Sequence, residues 1–339
     1  MKKLAIRGSA FEIGQQLGEF GREAWHQKLK LTTLWQTVTG MKDADQTLTL
    51  RALVETRYPL IWQELEGLAS GLQAPIEEVF AWNCRGDLVR STSDGCTTVA
   101  GQRADGVLII AHNEDGFPQL RNDCAIVSIR PDSGMGFTSF AYPGSICGHT
   151  VAVNDRGVVN TVNNIRALHR PEGVPRQILA RAALNAATLD EAISILTTSP
   201  RAGAFHHTLG QMGDSRLFSV EATGSGCSVT PLTAVFAHAN HLIHPQLDDV
   251  EQVITASSGS RQQRLMAWLE TQTQLDGDAA IAILSDQHDA ELPIYRLSPN
   301  DPDEENTLAT AVFTLHAKQV DWQIFTLNRD EPEFKGTIS

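Results

Sequence analysis

The sequence predicts a layered α+β domain in which two sheets lie between helical layers. Three observations lead there: a helical texture over the first 90 residues, a run of short β-rich segments after Asp94, and a return to helix over 261–285 before the last strands. With 42% hydrophobic and 20% charged residues the chain has ordinary globular composition, which excludes disorder, collagen and coiled coil. Its 339 residues fit two domains or one large one. With no tandem repeat and no low-complexity linker, one compact domain is expected.

Residues 10–31 carry Phe11, Leu17, Phe20, Ala24 and Trp25 at roughly helical spacing. In 48–72, Leu50, Leu53, Val54, Leu60, Ile61, Leu65 and Leu68 share one side, and Pro59 predicts a kink or break. Ala74-Pro75-Ile76-Glu77-Glu78 reads as the start of a third helix running toward Leu88, with proline in the first turn and acids near the positive end of the dipole. Short β-rich runs follow at 97–100, 107–112, 125–129, 136–141, 151–153 and 158–162, separated by Gly, Asp and Asn turns. A helical pair is expected at 174–184 and 189–196, with Thr188 as N-cap. Strands at 207–212, 217–221, 226–230 and 234–239 come next, then helix over 261–285. Strands at 308–315 and 322–327 close the chain after a polar loop at 298–306.

Lys+Arg of 27 against Asp+Glu of 40 gives a net charge of −13, which argues against non-specific nucleic-acid binding. No segment approaches the roughly 18–20 apolar residues of a membrane span, so no membrane partner is expected. The opening MKKLAIRGSAFEIG lacks the apolar stretch of a signal peptide. Five cysteines, an odd count with no CxxC pair, suit a reducing compartment, and the cytoplasm is the expected location. There is no GxxxxGK[ST], GxSxG or GxGxxG pattern. Gly224-Ser225-Gly226-Cys227 leads into a strand and reads as a hairpin turn. A nucleotide enzyme is disfavoured, and no cofactor is expected.

Three segments carry candidate chemistry. In Ser93-Asp94-Gly95-Cys96-Thr97-Thr98, a cysteine opens a strand after a flexible glycine. Its thiol is placed to attack the Gly95 carbonyl in an N-to-S shift, and hydrolysis would leave Cys96 as a new N-terminus carrying both nucleophile and amine base. The plainer reading is a small buried hydrophobe. In Ala111-His112-Asn113-Glu114-Asp115-Gly116, a hairpin would bring Asp115 toward residue 96, or the residues simply make a polar turn. In His238-Ala239-Asn240-His241-Leu242-Ile243-His244, three histidines spaced by three suggest a metal site, with Asp248 and Asp249 near in sequence. Asn240 alternatively offers a neutral amide to an oxyanion.

In order and spacing, the chain resembles the C45 autoproteolytic family of acyl-coenzyme A:6-aminopenicillanic acid acyltransferases, within the N-terminal nucleophile (Ntn) hydrolases. The residues that carry this are Gly8-Ser9 with Glu12-Ile13-Gly14-Gln15-Gln16-Leu17-Gly18, Glu66-Gly67-Leu68-Ala69-Ser70-Gly71, Trp82-Asn83-Cys84-Arg85 and Asp94-Gly95-Cys96-Thr97-Thr98. They continue with Asn113-Glu114-Asp115, Gly173-Val174-Pro175-Arg176, Asn240-His241, the Ser257 to Arg261 segment and Pro293-Ile294-Tyr295-Arg296. The resemblance implies a four-layer αββα sandwich and a precursor cut between Gly95 and Cys96. Residues 1–95 would form an N-terminal helical α chain and 96–339 the catalytic β chain, and the two would stay associated. It also implies Cys96 as nucleophile and, through its freed amine, base; Asp115 as the carboxylate supporting that amine; Asn240 as the oxyanion-side amide; and Arg261 as a further active-site residue. The family's Ser-Arg pair before the penultimate strand is replaced by Thr307-Leu308, and its aromatic after the Asn-x-Asp by Gly116, so a penicillin-type substrate is not implied.

The expected activity is therefore an amide hydrolase or acyltransferase acting on the C–N bond of a small N-acyl compound through a thioester on Cys96. Its partners are a small-molecule acyl donor and an amine or water. Arg85, Arg90 and Arg121 are the candidates for a coenzyme A phosphate site. Two alternatives stand beside it: a non-catalytic small-molecule-binding protein on the same fold, and a metal-dependent hydrolase using His238, His241 and His244.

Overall fold

The computed structural model describes residues 1–90 and 95–339; Ser93 and Asp94 of the segment before Cys96 lie outside the described residues. β1 (Lys2–Gly8) leads into α1 (Ala10–Gln27), α2 (Thr33–Thr39), α3 (Asp45–Arg57), α4 (Pro59–Leu72), α5 (Ile76–Asn83) and α6 (Arg85–Leu88). Then come β2 (Cys96–Gln102), β3 (Leu108–Gly116), β4 (Ala125–Pro131), β5 (Phe137–Ala141), β6 (Val151–Asn154) and β7 (Val158–Ile165). α7 (Arg176–Ala183) and α8 (Leu189–Leu196) precede β8 (Ala204–Gln211), β9 (Leu217–Ala222), β10 (Cys227–Pro231) and β11 (Phe236–His238). α9 (Ala256–Leu269), α10 (Gly277–Leu284), β12 (Asn306–Leu315), β13 (Val320–Phe325) and β14 (Phe334–Ile338) complete the chain.

Among the described residues the strands form two sheets. One has eight strands in the order β1-β4-β5-β6-β7-β8-β9-β10, the other six in the order β11-β2-β3-β12-β13-β14. The period-2 alternation of strand side chains sorts the residues of β3 between two layers. Ile109 and Ala111 pack with Leu265 of α9 and Ala280, Ile283 and Leu284 of α10. Ile110 and His112 point instead toward the other sheet, where Thr98, beside His112 in β2, donates to Asn163 of β7. On the far face of the eight-stranded sheet, Val158, Leu209 and Val220 pack against Ala183, Leu189, Ala192 and Leu196 of α7 and α8. The result is the expected four-layer αββα sandwich.

The first 90 residues are not wholly helical. β1 pairs parallel with β4 at the edge of the eight-stranded sheet, and only Ile6 of it is buried, so its apolar alternation is too short to stand out. β14 is a second edge strand that sequence reading missed, and it pairs antiparallel with β13. Pro59 does break the expected long helix, ending α3 at Arg57 and opening α4. The helical regions at 10–31, 74–88 and 261–285 are each divided: a short 3-10 turn follows α1, α6 follows α5, and α10 follows α9. Thr188 caps α8 by accepting from the Glu191 N–H.

Two of the glycine-rich motifs turn out to be halves of one contact. Ser9 and Glu12 form a capping box that starts α1. Gly14 and Gly18 of α1 then lie against Gly67 and Gly71 of α4 with the two backbones touching. A Cβ on Gly67 would sit 1.9 Å from the Phe11 carbonyl oxygen, and one on Gly14 1.8 Å from that of Glu64. Neither helix can yield without the other moving, and α4 is itself tied to α7 by the buried Glu64–Arg181 ion pair. Gly67→Ala is therefore expected to destabilise the fold by about 3 kcal/mol, read as a lowered midpoint in urea. An unchanged midpoint would mean that the helices are free to separate.

Candidate active site

The β2–β3 hairpin sets the site. Cys96 opens β2 and pairs with Glu114, and one step further along the ladder the Asp115 N–H donates to the Gly95 carbonyl at 2.9 Å. On the other side of the same peptide unit, the Cys96 N–H donates to Asn240 Oδ1 at 2.9 Å. The structure thus brings Gly95, Cys96, Asp115 and Asn240 together from distant parts of the chain, and buries the last three. Gly95 has no room for a side chain: a Cβ would lie 2.2 Å from Glu305 Oε2 and 2.8 Å from Arg296 Nη1.

Arg261 is fully buried on α9 and joins this group. Its Nη2 donates to Asn240 Oδ1 at 2.7 Å, and its Nη1 donates to the Cys96 carbonyl and to Thr97 Oγ1. The helix start explains why the serines precede it. Thr255 caps α9, Ser257 Oγ accepts from Arg261 Nε, and Ser258 Oγ accepts from the Asn240 N–H. Asn240 Nδ2 donates to the Asn164 carbonyl at 3.1 Å. In this arrangement the Asn240 oxygen faces Cys96, while its amide donor is engaged elsewhere.

Three further residues complete the surroundings of Asp115. Thr307, opposite it across the β3–β12 ladder, accepts from the Arg296 N–H and donates its hydroxyl to Asp115 Oδ1 at 2.7 Å. Arg296 Nη1 lies 3.7 Å from Asp115 Oδ2 and donates to Glu305 Oε2, while its other nitrogens grip Asp301. Burial pushes the Asp115 carboxyl above the ordinary aspartate range, with Arg296, Arg261 and the Thr307 bond pulling the other way. Burial likewise pushes Glu305 up to about 7 against the pull of Arg296 and Arg166. Sequence reading missed the parts played by Thr307 and Glu305. The signal for Arg296 was its place in the Pro-Ile-Tyr-Arg motif.

On the face toward the eight-stranded sheet, Cys96 Sγ, a ring nitrogen of His112 and a carboxylate oxygen of Glu114 lie within 4.8 Å of one another. Among the described residues these three could hold a metal ion. The histidines considered as a metal set do not converge as a trio. His238 Nε2 meets Glu221 Oε1 and His244 Nδ1 lies 4.0 Å from Glu221 Oε2 while its ring also meets Ser219 and Ser228, whereas His241 Nδ1 turns to Ser258. Loop residues spaced by three have no helical face to align all three imidazoles. Burial makes the other interior thiols poor nucleophiles, raising Cys84, Cys124 and Cys147, the last to about 12. Of the arginines considered for a coenzyme A phosphate, Arg85 is buried over the Trp82 ring, Arg121 is half-buried and Arg90 is exposed. Among the described residues, no helix is long and apolar enough to cross a membrane.

By sequence the chain is an enzyme of the hydrolase and acyltransferase class. Residues 102–325 match the model of the acyl-coenzyme A:6-aminopenicillanic acid acyl-transferase family, and the chain belongs to that family. The matched region takes in Asp115, Asn240 and Arg261 and begins after Cys96. The chain is 23% identical over 371 residues to the beta-alanyl-dopamine/carcinine hydrolase of Drosophila melanogaster, covering 97% of this chain and 94% of that protein. It is 26% identical over 201 residues to the 40 kDa form of the acyl-coenzyme A:6-aminopenicillanic-acid-acyltransferase of Emericella nidulans, covering 57% of this chain and 55% of that one. Among solved structures, a Caenorhabditis elegans N-acylethanolamine-hydrolyzing acid amidase ortholog has a TM-score of 0.43 at 14% identity, covering 64% of this chain and 92% of that one. A mutant of the conjugated bile acid hydrolase from Clostridium perfringens has 0.44 at 10% identity, covering 72% and 96%.

The Thr307 hydroxyl is the one direct hydrogen bond to Asp115 Oδ1 among the described side chains. Thr307→Val removes it and should cost about 2 kcal/mol, the range for a hydrogen bond to a charged group, whereas Thr307→Ser should fold like the wild type. Urea denaturation of the three proteins checks this, and a loss in Thr307→Ser with none in Thr307→Val would assign the effect to the methyl group and refute the role of the hydroxyl.

Proposed function

We infer that this enzyme is an autoprocessed N-terminal-cysteine amide hydrolase or acyltransferase that acts on small N-acyl compounds through a thioester on Cys96. The observation that carries this reading is the two-ended hold on the Gly95–Cys96 peptide unit, with the Asp115 N–H on its carbonyl oxygen and Asn240 Oδ1 on its N–H. For processing, Cys96 Sγ attacks the Gly95 carbonyl carbon. The C–S bond forms, charge gathers on the oxygen facing the Asp115 N–H, the C–N bond breaks, and the thiol proton passes to the departing nitrogen. Water then cleaves the thioester, leaving Gly95 as a carboxylate and Cys96 with a free amine. Chains 1–95 and 96–339 would stay associated, because β1 is hydrogen-bonded along β4 and Glu64 is paired with Arg181.

In turnover, the substrate carbonyl takes the place of Gly95 and the Cys96 amine acts as base. Asn240, itself fixed by Arg261 and Ser258, holds that amine through Oδ1 and so aims it at the thiol; this makes Asn240 an acceptor rather than the oxyanion donor anticipated from sequence. Asp115 supplies the backbone donor and the carboxylate that supports the positive amine. The acyl group moves to Sγ, the amine product leaves with a proton, and water or a second amine takes the acyl group. No cofactor enters these steps. A relative named as a hydrolase of beta-alanyl-dopamine favours hydrolysis over acyl transfer.

Processed protein offered a panel of N-acyl amines should release amine and carry an acyl adduct on the 244-residue chain. Asn240→Ala should lower kcat on the order of 100-fold, the scale for misplacing a reacting group. Asn240→Asp, which keeps the acceptor oxygen, should retain more activity than the alanine variant. Wild-type kcat in Asn240→Ala, or amine release with the adduct on another residue, would refute the mechanism.

A further inference from the structure

The space beside the Gly95 α-carbon is already full, and charged side chains fill it. A Cβ placed there with the hand of an L-residue would lie 2.2 Å from Glu305 Oε2, 2.8 Å from Arg296 Nη1 and 3.2 Å from Asp115 Oδ2. Real Cβ atoms do not approach other heavy atoms closer than 3.0 Å, so Glu305 and Arg296 would have to give way. The three groups are ends of flexible side chains, and what holds them decides whether they can. Each is almost completely buried. Glu305 Oε2 accepts from Arg296 Nη1, and Arg296 is anchored in turn by Nε on Asp301 Oδ2 at 2.9 Å and by Nη2 on Asp301 Oδ1. Asp301 is fixed by the backbone N–H groups of Asp303 and Glu305. Arg296 and Thr307 are bonded in both directions: the Arg296 N–H donates to Thr307 Oγ1, and the Thr307 N–H donates to the Arg296 carbonyl. The Thr307 hydroxyl then holds Asp115 Oδ1. Withdrawing Glu305 therefore breaks a charged hydrogen bond inside a closed, buried network, which is costly.

We propose that this charged wall sets the acyl specificity of the enzyme: the acyl groups it accepts carry a CH2 at the α-carbon, and a carbon branch there of the L hand is shut out. This rests on the thioester reading above, in which the substrate carbonyl takes the place of Gly95. The α-carbon of the acyl group then lies where the Gly95 α-carbon lies, and its chain continues in the direction of the Gly95 nitrogen. A substituent on its L side points at Glu305 Oε2. Linear acyl groups and glycyl groups have only hydrogen there. Every other L-aminoacyl group brings a Cβ into the carboxylate, so peptide bonds after residues other than glycine are refused. The wall that requires glycine before Cys96 thus makes the processed enzyme an amidase of α-unbranched acyl compounds and no general peptidase. Glu305 acts here by position alone and takes no part in the bond changes.

The test offers processed enzyme the p-nitrophenyl esters of N-acetylglycine and N-acetyl-L-alanine, which differ by that one methyl group. A reactive leaving group common to both lets the acyl part decide the rate. Acylation is followed by nitrophenolate release, and mass spectrometry locates the adduct on Cys96. The glycyl ester should acylate the wild type roughly 10- to 100-fold faster, the scale for forcing a methyl group into a filled site. Glu305→Asp draws the carboxylate back by one CH2 while keeping its charge, and should narrow that preference by speeding the L-alanyl reaction. Gly95→Ala should slow self-cleavage by a similar factor, which mass spectrometry of freshly purified chain reads with no added substrate. Equal acylation of the wild type by the two esters would overturn the specificity while leaving the thioester mechanism standing. A preference unchanged in Glu305→Asp would overturn the part given to Glu305; should that variant not be processed, the wild-type ratio and the Gly95→Ala precursor decide. If neither ester acylates Cys96, the thioester reading fails and the specificity falls with it.

Discussion

The peptide unit between Gly95 and Cys96 is held from both sides, and a connected set of buried polar side chains keeps it so. Its carbonyl accepts the next rung of the β2–β3 ladder, from the Asp115 N–H, and its N–H is met by the Asn240 side chain. A backbone hydrogen bond that continues a sheet needs no special residue, so the first contact comes directly from hairpin register. The second needs an amide delivered from 144 residues away, and the start of α9 delivers it. Ser258 fixes the Asn240 backbone, and Arg261 fixes its oxygen.

Charge balance imposes the next constraint. Arg261 and Arg296 are both buried, as are Asp115, Asp301 and Glu305. Such charges are tolerable in a core only as a mutually hydrogen-bonded set, because each would otherwise carry a desolvation cost of several kcal/mol. Arg296 gathers four carboxylates around itself, those of Asp301, Asp303, Glu305 and Asp115, and lies farthest from Asp115, at 3.7 Å, so Asp115 is influenced by the cation without being locked onto it. Gly95 is required at this point because Glu305, Arg296 and Asp115 occupy the space of any Cβ. The position before the nucleophile is therefore set by sterics as well as by chemistry.

Much of this was legible in the sequence, for identifiable reasons. The strands of the core have unmistakable β-rich runs, and the breaks at Pro59 and Thr188 follow from local chemistry. The edge strands β1 and β14 were not legible, since an edge strand with a few buried residues has almost no pattern to read. At the site, Cys96, Asp115, Asn240 and Arg261 sit in short motifs. Thr307 could be seen only as the place where an arginine was missing, because its bond to Asp115 spans 192 residues. Glu114 read as part of a polar turn until the register put it opposite Cys96. The histidine trio is the reverse case: His238 and His244 come to the same carboxylate, Glu221, but His241 turns away to Ser258, so regular spacing does not bring the three imidazoles to one point. The paired glycines of α1 and α4 belonged to separate motifs, and only helix packing shows that they answer each other.

The proposed mechanism requires that the held peptide bond be the one the protein cuts. Denaturing mass spectrometry of wild type and Cys96→Ala, purified side by side, measures this directly. The wild type is expected to give fragments of 95 and 244 residues, with cysteine at the new N-terminus, and the variant a single uncut chain of 339 residues. An uncut wild-type chain that still hydrolyses amides would contradict the mechanism.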